Sequence, residues 1–357
     1  GLFAASGHGV PKPLASATIC GVVLVYVFFG GMRGTAWANT FQTLVFMVLG
    51  VVTFVTIANA LGGGDSLLEN MRRASQAVPE PQLSRAKIPN SVFFSFLLIP
   101  LSVGMFPHVF QHWLTARSAA AFKLPIVLHP IFIMIVWLPC VLIGVWASAP
   151  SAGFEPGFNE NEVLATLVKQ HAGPVLGGLL TAGILAAIMS SLDSQFLCVG
   201  TIFTEDIVLH YSRKGRFSER QTVVIARLFV VLIVAITYVC SLFPRAVFDL
   251  GLWSFTGFCG LFPLVIAALY WRRLTSAGAI ASVLAMTATW VALFRAAEWG
   301  HNPRFAFPTK PIMAGDMTLL PPLHPVVTVM IVATVVLVAV SLVTRPPAEA
   351  AVRRFFP

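Results

Sequence analysis

The sequence predicts an all-α polytopic membrane protein with about nine transmembrane helices. Hydrophobic residues make up 57% of the 357-residue chain and charged residues only 10%, and the mean hydropathy is +0.85. Soluble globular domains carry about 25% charged residues, so this composition lies outside their range. Apolar runs that approach or exceed the roughly 20 residues needed to cross a bilayer recur along the chain, separated by polar segments.

Each apolar run is assigned as one span, of which the first is the shortest and is marginal for crossing a bilayer. The five cysteines each fall in a different run and lack the CxxC spacing of a metal or redox site. We therefore interpret them as buried thiols that pack as small hydrophobes. The predicted spans are 14–29, 39–61, 91–114, 122–147, 173–209, 220–243, 246–270, 275–297 and 323–343.

The distribution of lysine and arginine predicts the orientation in the membrane. On one side these residues are concentrated in short loops, whereas on the other side they lie mostly on long loops together with most acidic residues. Short cytoplasmic loops are enriched in Lys and Arg, so we expect loop 210–219 to be cytoplasmic and loop 155–171 external. This bias accounts for the net charge of +9 without a nucleic-acid partner. The residues assigned to the cytoplasm are Arg33, Arg117, Lys123, Arg213, Lys214, Arg216, Arg220, Arg272, Arg273, Arg345, Arg353 and Arg354.

The apolar run 173–206 holds Ser190, Ser191, Asp193 and Ser194 about 18 Å before its charged end. Polar groups near the midplane of a bilayer are costly, and they usually face a bundle interior or a water-filled cavity. We therefore predict an ion site within this run. The same run has a face of small residues at three- to four-residue spacing, which lets another helix backbone approach closely. That face consists of Gly183, Ala187, Ser190, Ser191 and Ser194.

Several segments give the chain a resemblance to a known family. The segments AAIMSSLDSQ at 186–195 and TEDIV at 204–208 resemble the most recognisable internal motif of the sodium:solute symporters, which include proline, pantothenate and sodium-glucose carriers. Three more segments resemble the family in the expected order, namely FFGGMRGTAWANTFQ at 28–42, PHVFQHWLTARSAAA at 107–121 and YWRRLTSAGAIAS at 270–282. Together these segments extend over nearly the whole chain.

The resemblance implies a leucine-transporter-like fold, in which two five-helix repeats have opposite membrane topology. Within one transmembrane domain, it assigns residues 14–61 to the last two helices of the first repeat. It assigns 91–271 to the second repeat and 275–344 to peripheral C-terminal helices. It also implies an N-terminally truncated fragment without the first three core helices. In the family, the first of these carries half of the sodium site and part of the substrate site.

The residue types in the polar group suit sodium. A hard monovalent cation requires several oxygen ligands, which hydroxyls and carbonyls supply and thiols do not. The resemblance implies that Ser190 and Ser191 bind sodium through their hydroxyls and that Ala187, one turn earlier, binds through its carbonyl. The alternative is that both hydroxyls donate to carbonyls three or four residues earlier, as serine often does in membrane helices.

The span 91–114 is a candidate for solute binding. It contains Pro100, Gly104 and Pro107. Proline in a helix removes a hydrogen bond and clashes with the preceding turn, so we expect this helix to break. A broken helix exposes backbone groups that can hold a substrate, and the resemblance implies that this is the family's second broken helix, with Gly104 and Pro107 near the substrate. An ordinary kink whose polar groups are satisfied by neighbouring helices is the alternative.

A second solute-binding candidate is the cluster of polar and aromatic residues in span 246–270, where we single out Trp253 and Ser254. In the family, the matching helix contributes to the substrate site. Trp253 lies close to the outer end of the span, so the alternative is that it serves only as an interfacial anchor.

Asp193 has two interpretations. Acidic groups inside spans relay protons or ions in many transporters. Alternatively, the carboxylate packs through hydrogen bonds against a neighbouring helix or the loop after Pro107. We favour packing, because members of the family that carry an acid at this position are not thereby driven by protons.

These observations predict sodium-coupled secondary active transport of a small polar organic solute by alternating access. The alternatives are a proton-coupled carrier of the same fold and, less favoured, a membrane-embedded enzyme. An enzyme is disfavoured because, apart from Glu205 and Asp206 at the charged end of span 173–209, the acids within spans are Asp193 and Asp249, and no nucleophile with a base and an orienting group recurs. A channel would require repeated rings of charged or carbonyl groups, which the sequence does not contain.

The prediction also specifies partners. Sodium is expected as a co-transported ion, with no other metal and no organic cofactor. The solute is expected to be an amino acid, a monocarboxylate, pantothenate or a sugar. The chain is expected to lie in the cell membrane, either plasma or inner, surrounded by lipid, with no nucleic acid and no obligate protein partner.

Overall fold

The structure, a computed structural model, describes residues 11–85, 88–155, 157–212, 216–243, 247–302, 305–314 and 317–356. Helices dominate the described part of the chain. The α-helices are α1 Lys12–Gly62, α2 Leu67–Gln76, α3 Glu80–Leu83, α4 Asn90–Ser95, α5 Pro107–Leu114, α6 Lys123–Trp146, α7 Val163–His171, α8 Pro174–Ile202, α9 Glu219–Ser241, α10 Val247–Cys259, α11 Phe262–Tyr270, α12 Ser276–Ala296, α13 Pro325–Val343 and α14 Glu349–Phe355.

Shorter elements connect or extend these helices. A 3₁₀ helix, Phe96–Met105, follows α4, and a π-helical segment, Phe203–Leu209, continues α8. Single 3₁₀ turns occur at Ala119–Phe122, Pro150–Ala152, Glu160–Glu162 and Glu298–Gly300. Strands β1 Ile312–Ala314 and β2 Met317–Leu320 pair antiparallel within the predicted loop before the last span, where the sequence analysis assigned no strand.

Eight helical segments of the described residues are long and apolar enough to cross a membrane, and a bent pair of helices brings the number to nine. The prediction of about nine transmembrane helices is therefore confirmed. The eight segments are Pro13–Gly31, Arg33–Gly62, Ala119–Trp146, Pro174–Leu209, Glu219–Ser241, Val247–Tyr270, Ser276–Ala296 and Pro325–Val343, and the bent pair is Asn90–Met105 with Pro107–Leu114.

The first two spans meet at a single glycine. Gly31 has φ 53° and ψ −154°, a conformation that interrupts the helix and that residues with a side chain rarely adopt. The prediction that 30–38 is a connecting segment was wrong, because the helix resumes at Arg33. The polar residues that suggested a loop instead lie on the second helical segment. A second glycine in the left-handed region, Gly63, ends α1 with φ 62°.

The chain divides into two compact units. The first contains α1–α3 and α6–α9, and α1 packs along α8 within it. Its core includes Trp146, which is fully buried, stacks on Phe54 at 5.5 Å between ring centroids and donates a 2.9 Å hydrogen bond from Nε1 to Ser75 Oγ. These contacts join α6 to both α1 and α2, so the unit has a continuous packed interior.

The second unit contains α4, the following 3₁₀ helix and α10–α14. Its central pair is α12 and α13, whose backbones approach closely at Gly278: a Cβ atom there would lie 2.0 Å from Ser341 Oγ. Ser282 Oγ donates a 2.8 Å hydrogen bond to the Ala333 carbonyl across the same pair. In lipid, apolar burial contributes little to helix association. Close packing of small side chains and hydrogen bonds between helices drive it instead.

The start of α13 is fixed by its N-cap, His324, which accepts a 3.3 Å hydrogen bond at Nδ1 from the Val326 N–H. The His324 N–H donates to Ser95 Oγ at 2.9 Å, and its ring lies 4.8 Å from that of Phe96. Burial lowers the pKa of His324 to about 4. The imidazole is therefore neutral near pH 7, as an acceptor at an N-cap requires.

The orientation can be tested with single cysteines. We expect Asn159→Cys to react with an impermeant maleimide on intact cells and Ser212→Cys to react only after permeabilisation, because the basic loops are predicted to be cytoplasmic. The unsubstituted chain, whose own thiols lie within spans, is the background control. Labelling of Ser212→Cys but not Asn159→Cys on intact cells would reverse the topology.

Candidate functional site

Helix α8 carries the predicted ion site. It begins after Gly173 with Pro174 in its first turn, where a proline has no hydrogen bond to lose. With its π-helical continuation, the span runs 36 residues from Pro174 to Leu209. This exceeds the roughly 20 residues that a bilayer requires, so Ser190 lies well inside the membrane.

Two of the three predicted sodium ligands, Ala187 and Ser190, lie on one face of α8. Ser190 Oγ donates a 3.0 Å hydrogen bond to the carbonyl oxygen of Ala187. Both residues are half-buried, whereas Ser191 is exposed and its hydroxyl has no hydrogen-bond partner among the described residues. The back-bond that the sequence analysis gave as an alternative is thus present for Ser190, and it places two candidate ligand oxygens side by side.

Gly183, one residue of the small-residue face of α8, packs closely against α1. A Cβ atom on Gly183 would lie 2.8 Å from Leu49 Cβ, which is too close for any larger residue without displacement of α1. Next to this contact, an apolar cavity of about 170 Å³ lies between α1, α6 and α8, and Ala187 forms part of its lining. Its lining contains no charged residue. The cavity therefore offers no carboxylate ligand to a cation near Ala187.

A buried polar cluster joins α8 to α1 one turn beyond the serines. Asn39 Nδ2 donates a 2.9 Å hydrogen bond to Ser194 Oγ, and Ser194 Oγ donates in turn to Asp193 Oδ1 at 3.2 Å. Tyr26 of α1 also lies close to the Asp193 carboxyl group and to Gln42. Asp193 is completely buried. Its hydrogen bonding thus runs through Ser194 to the neighbouring helix α1.

Several oxygens in the described part of this cluster lack a hydrogen-bond partner. Among the described residues, four buried oxygens near this part of α1 and α8 have no hydrogen-bond partner: Thr35 Oγ1, Asn39 Oδ1, Gln42 Oε1 and Asp193 Oδ2. A buried acceptor without a donor is costly, and more so in hydrocarbon. Three of these atoms are carbonyl or carboxyl oxygens, the ligand type that hard cations prefer.

The α1 residues of this cluster were not predicted from the sequence. Thr35, Asn39 and Gln42 are spaced by four and three residues, so they lie on one helix face. That periodicity within an apolar run is a signal of the kind that identified Ser190. The pattern was obscured because Thr35 was assigned to a loop, whereas Asn39 and Gln42 were placed in the span that follows.

The helix predicted to break does so. The segments Asn90–Met105 and Pro107–Leu114 meet at an angle of 50°. Pro100 lies within the 3₁₀ helix, and Phe106 is extended with ψ 124°. Gly104 and Pro107 flank this break and are half-buried.

The broken segment packs on α10, the helix that carries the other solute candidates. The Phe106 ring lies 5.4 Å from that of Phe255 and 4.9 Å from that of Phe258. Trp253 is 7% exposed and packs with Trp290 and Phe294, while its carbonyl accepts a 2.8 Å hydrogen bond from Trp290 Nε1. Packing thus accounts for its burial.

Ser254 occupies a different position on α10 from Trp253. It is exposed, and its hydroxyl donates a 2.9 Å hydrogen bond to the Leu250 carbonyl. The four solute candidates, Gly104, Pro107, Trp253 and Ser254, belong to the second compact unit.

Comparison with known proteins gives consistent results. The family model described as the sodium:solute symporter family matches residues 3–285. The sodium/proline symporter of Escherichia coli K12 is 26% identical over 291 residues, covering 76% of this chain and 53% of that protein. The osmoregulated proline transporter OpuE of Bacillus subtilis is 25% identical over 358 residues, covering 98% of this chain and 67% of that protein.

A solved structure extends the comparison to the fold. It is described as a substrate-bound outward-open state of a Na⁺-coupled sialic acid symporter, and it matches with a TM-score of 0.72 and 17% identity over 98% of this chain and 70% of its own. The predicted leucine-transporter-like fold is thereby confirmed. The chain spans about half to two thirds of the length of the curated relatives described above. On the family match over most of its length, the chain belongs to the sodium:solute symporter family.

Proposed function

We propose that this chain takes part in sodium-coupled symport of a small polar solute across the cell membrane, plasma or inner, by alternating access. The observation that carries the proposal is the pair of oxygens, Ser190 Oγ and the Ala187 carbonyl, 3.0 Å apart inside a span and within the residues that the family model matches. One charge moving down a 100 mV potential releases about 2.3 kcal/mol, which sustains a roughly 50-fold solute gradient. The transported ion needs no resident cofactor.

Sodium is proposed to bind between the Ala187 carbonyl and the hydroxyls of Ser190 and Ser191. When sodium enters, the Ser190 hydroxyl either continues to donate its hydrogen bond to the Ala187 carbonyl or rotates away from that carbonyl. In both cases its oxygen presents a lone pair to the ion. The Ser191 hydroxyl has no competing partner among the described residues. An oxygen-only ligand set fits a hard cation and disfavours soft metals.

The proposed solute is proline or another small amino acid. The support comes from the relatives described as sodium/proline symporters and as a proline transporter. At the break beside Gly104 and Pro107, helix ends expose backbone N–H and C=O groups that can hold the charged ends of an amino acid. Trp253 and Ser254 are the side chains proposed to contribute from α10. The repeat assignment, 14–61 with 91–271, remains part of this proposal.

Proton coupling is a second candidate, and one observation favours it. Asp193 Oδ2, Asn39 Oδ1 and Gln42 Oε1 are all acceptors without donors among the described residues. A proton on Asp193 would convert one acceptor into a donor and so satisfy two of these atoms. A cation at the same place would satisfy them by ligation.

Uptake measurements test the proposal. Cells lacking their own proline uptake and expressing the protein should accumulate radiolabelled proline in sodium but not in choline at constant pH. Excess unlabelled proline should compete, whereas glucose, lactate and pantothenate should not. Uptake driven equally well by an inward proton gradient without sodium would overturn sodium coupling in favour of the second candidate.

Asp193→Asn provides the matched control for the ion. It keeps the shape of the side chain but cannot release a proton. If sodium is the coupling ion, the variant should still require sodium. If Asp193 carries the coupled proton, uptake by the variant should lose its dependence on the pH gradient.

A further inference from the structure

The structure contains a cavity of about 280 Å³ near one end of the first compact unit. It lies beside the break in α1 at Gly30 and Gly31, against the last turns of α8 at Gly200 and Thr201 and against the first turns of α9. These three positions lie toward the same membrane side, which the distribution of basic residues predicts to be cytoplasmic.

Arg227 is the one charged residue that lines this cavity. It stands about eight residues, or about 12 Å, after the start of α9, inside an apolar span. Its guanidinium lies 4.4 Å from the ring centroid of Phe28. No carboxylate lies within ion-pair distance of it in the part of the chain that the structure describes. A cation at this depth is costly, and the ring compensates only part of the lost hydration.

Arg227 gives the cavity its positive charge. Two helical segments meet at the adjacent break, the carboxyl end of Pro13–Gly31 and the amino end of Arg33–Gly62, and their opposite dipole charges offset each other. The other polar side chain in the lining, Thr201, already donates its hydroxyl hydrogen to Leu197 O at 2.9 Å, so the donors available to a ligand are those of the Arg227 guanidinium. The cavity therefore suits an anion with several oxygens, of which a phosphate is the best match to a guanidinium.

The rim of the cavity is apolar and exposed. Phe29 is 78% exposed and Val223 46% exposed, and Leu228, next to Arg227 on α9, is 64% exposed. On spans of a membrane protein, such side chains contact acyl chains. The occupant must therefore combine an anionic head with hydrocarbon, which a free phosphate does not.

We propose that the Arg227 cavity binds the headgroup of an anionic phospholipid, with the phosphate on the guanidinium and the acyl chains along Phe29 and Leu228. The cytoplasmic leaflet is the one that carries anionic lipids, in agreement with the predicted orientation. This site is separate from the residues proposed for sodium and solute, so it does not depend on which solute is carried.

Native mass spectrometry of the purified protein with bound lipid tests the proposal. The probes are phosphatidylglycerol and, as the zwitterionic comparison, phosphatidylcholine with the same acyl chains. We expect the wild type to retain phosphatidylglycerol preferentially and Arg227→Gln to lower its retention about fivefold. Arg220→Gln, which removes an exposed charge from the start of the same helix, should leave retention unchanged. Equal loss in both variants would indicate general surface attraction and overturn the site.

A second variant keeps the proposal testable if Arg227→Gln folds poorly. A Cβ atom at Gly30 meets nothing within 4 Å, so Gly30→Leu should fill the cavity with little strain and lower phosphatidylglycerol retention with Arg227 intact. Undiminished retention in Gly30→Leu would overturn the proposal. Displacement of the lipid by an equal concentration of glycerol 3-phosphate would also overturn it, because a free anion would then be the ligand.

Discussion

Replacing either Ser190 or Ser191 with alanine is expected to lower the apparent sodium affinity five- to more than a hundredfold. Each substitution removes one oxygen from a site that has few ligands, and the loss of a buried polar partner costs roughly 1 to 3 kcal/mol. The measurement is solute uptake against sodium concentration for the wild type and both variants. Solute binding at saturating sodium should change much less, because the hydroxyls are not proposed to touch the solute.

A matched control separates ligation from helix packing. Ser241 Oγ on α9 donates a 2.7 Å hydrogen bond to the Tyr238 carbonyl, the same type of back-bond that Ser190 makes to Ala187. Ser241→Ala removes that bond without touching the proposed site, and loss of a back-bond in a helix is nearly neutral. The half-saturating sodium concentration of the Ser241→Ala variant should equal that of the wild type. Unchanged half-saturation in both Ser190→Ala and Ser191→Ala would remove the sodium assignment.

Gly278→Ala is expected to destabilise the protein by about 1 to 3 kcal/mol, the usual cost of overpacking a filled interior. The added Cβ atom would lie 2.0 Å from Ser341 Oγ and 3.1 Å from the Leu337 carbonyl oxygen. Because the second of these is backbone, α12 and α13 would have to separate. The measurement is the thermal unfolding midpoint followed by tryptophan fluorescence in detergent.

The sign of the effect makes this prediction specific. Glycine to alanine within a helix ordinarily stabilises by about 0.5 to 1 kcal/mol, and Gly251→Ala in α10, with nothing within 4 Å of the new atom, should show that gain. Adding Ser341→Ala to Gly278→Ala should restore part of the loss, since it removes the closest atom. A stabilised Gly278→Ala variant would contradict the close approach of α12 and α13.

The spans were predictable because hydrocarbon selects for apolar residues along a whole helix, a constraint that is local in sequence. The break after Met105 was predictable for the same reason, since proline acts on its own helix. The joint at Gly31 was not, because the polar residues after it are compatible with both a loop and a buried helix face. Only packing against α8 decides between them, and that contact lies far away in the chain.

The residues of the candidate site also differ in whether they could be predicted from local sequence. Ser190 and Ser191 stand out because they are hydroxyls in an apolar run. The partnership of Asn39 with Ser194 joins residues 155 positions apart, so no local pattern contains it. The role of Trp253 also depends on residues that are distant in sequence. The sequence alone is compatible with a solute contact or an interfacial anchor, whereas the structure shows the side chain packed against Trp290 and Phe294.

The chain of hydrogen bonds from Asn39 through Ser194 to Asp193 has a consequence for sequence divergence. It requires one carboxyl group and one amide on facing helices, but the hydroxyl between them can donate in either direction. The negative charge could therefore move from α8 to α1 through a paired exchange, Asp193→Asn with Asn39→Asp, without changing the number of donors. Substitutions at these two positions should consequently arise together in related sequences, and either exchange alone should be tolerated less well than both.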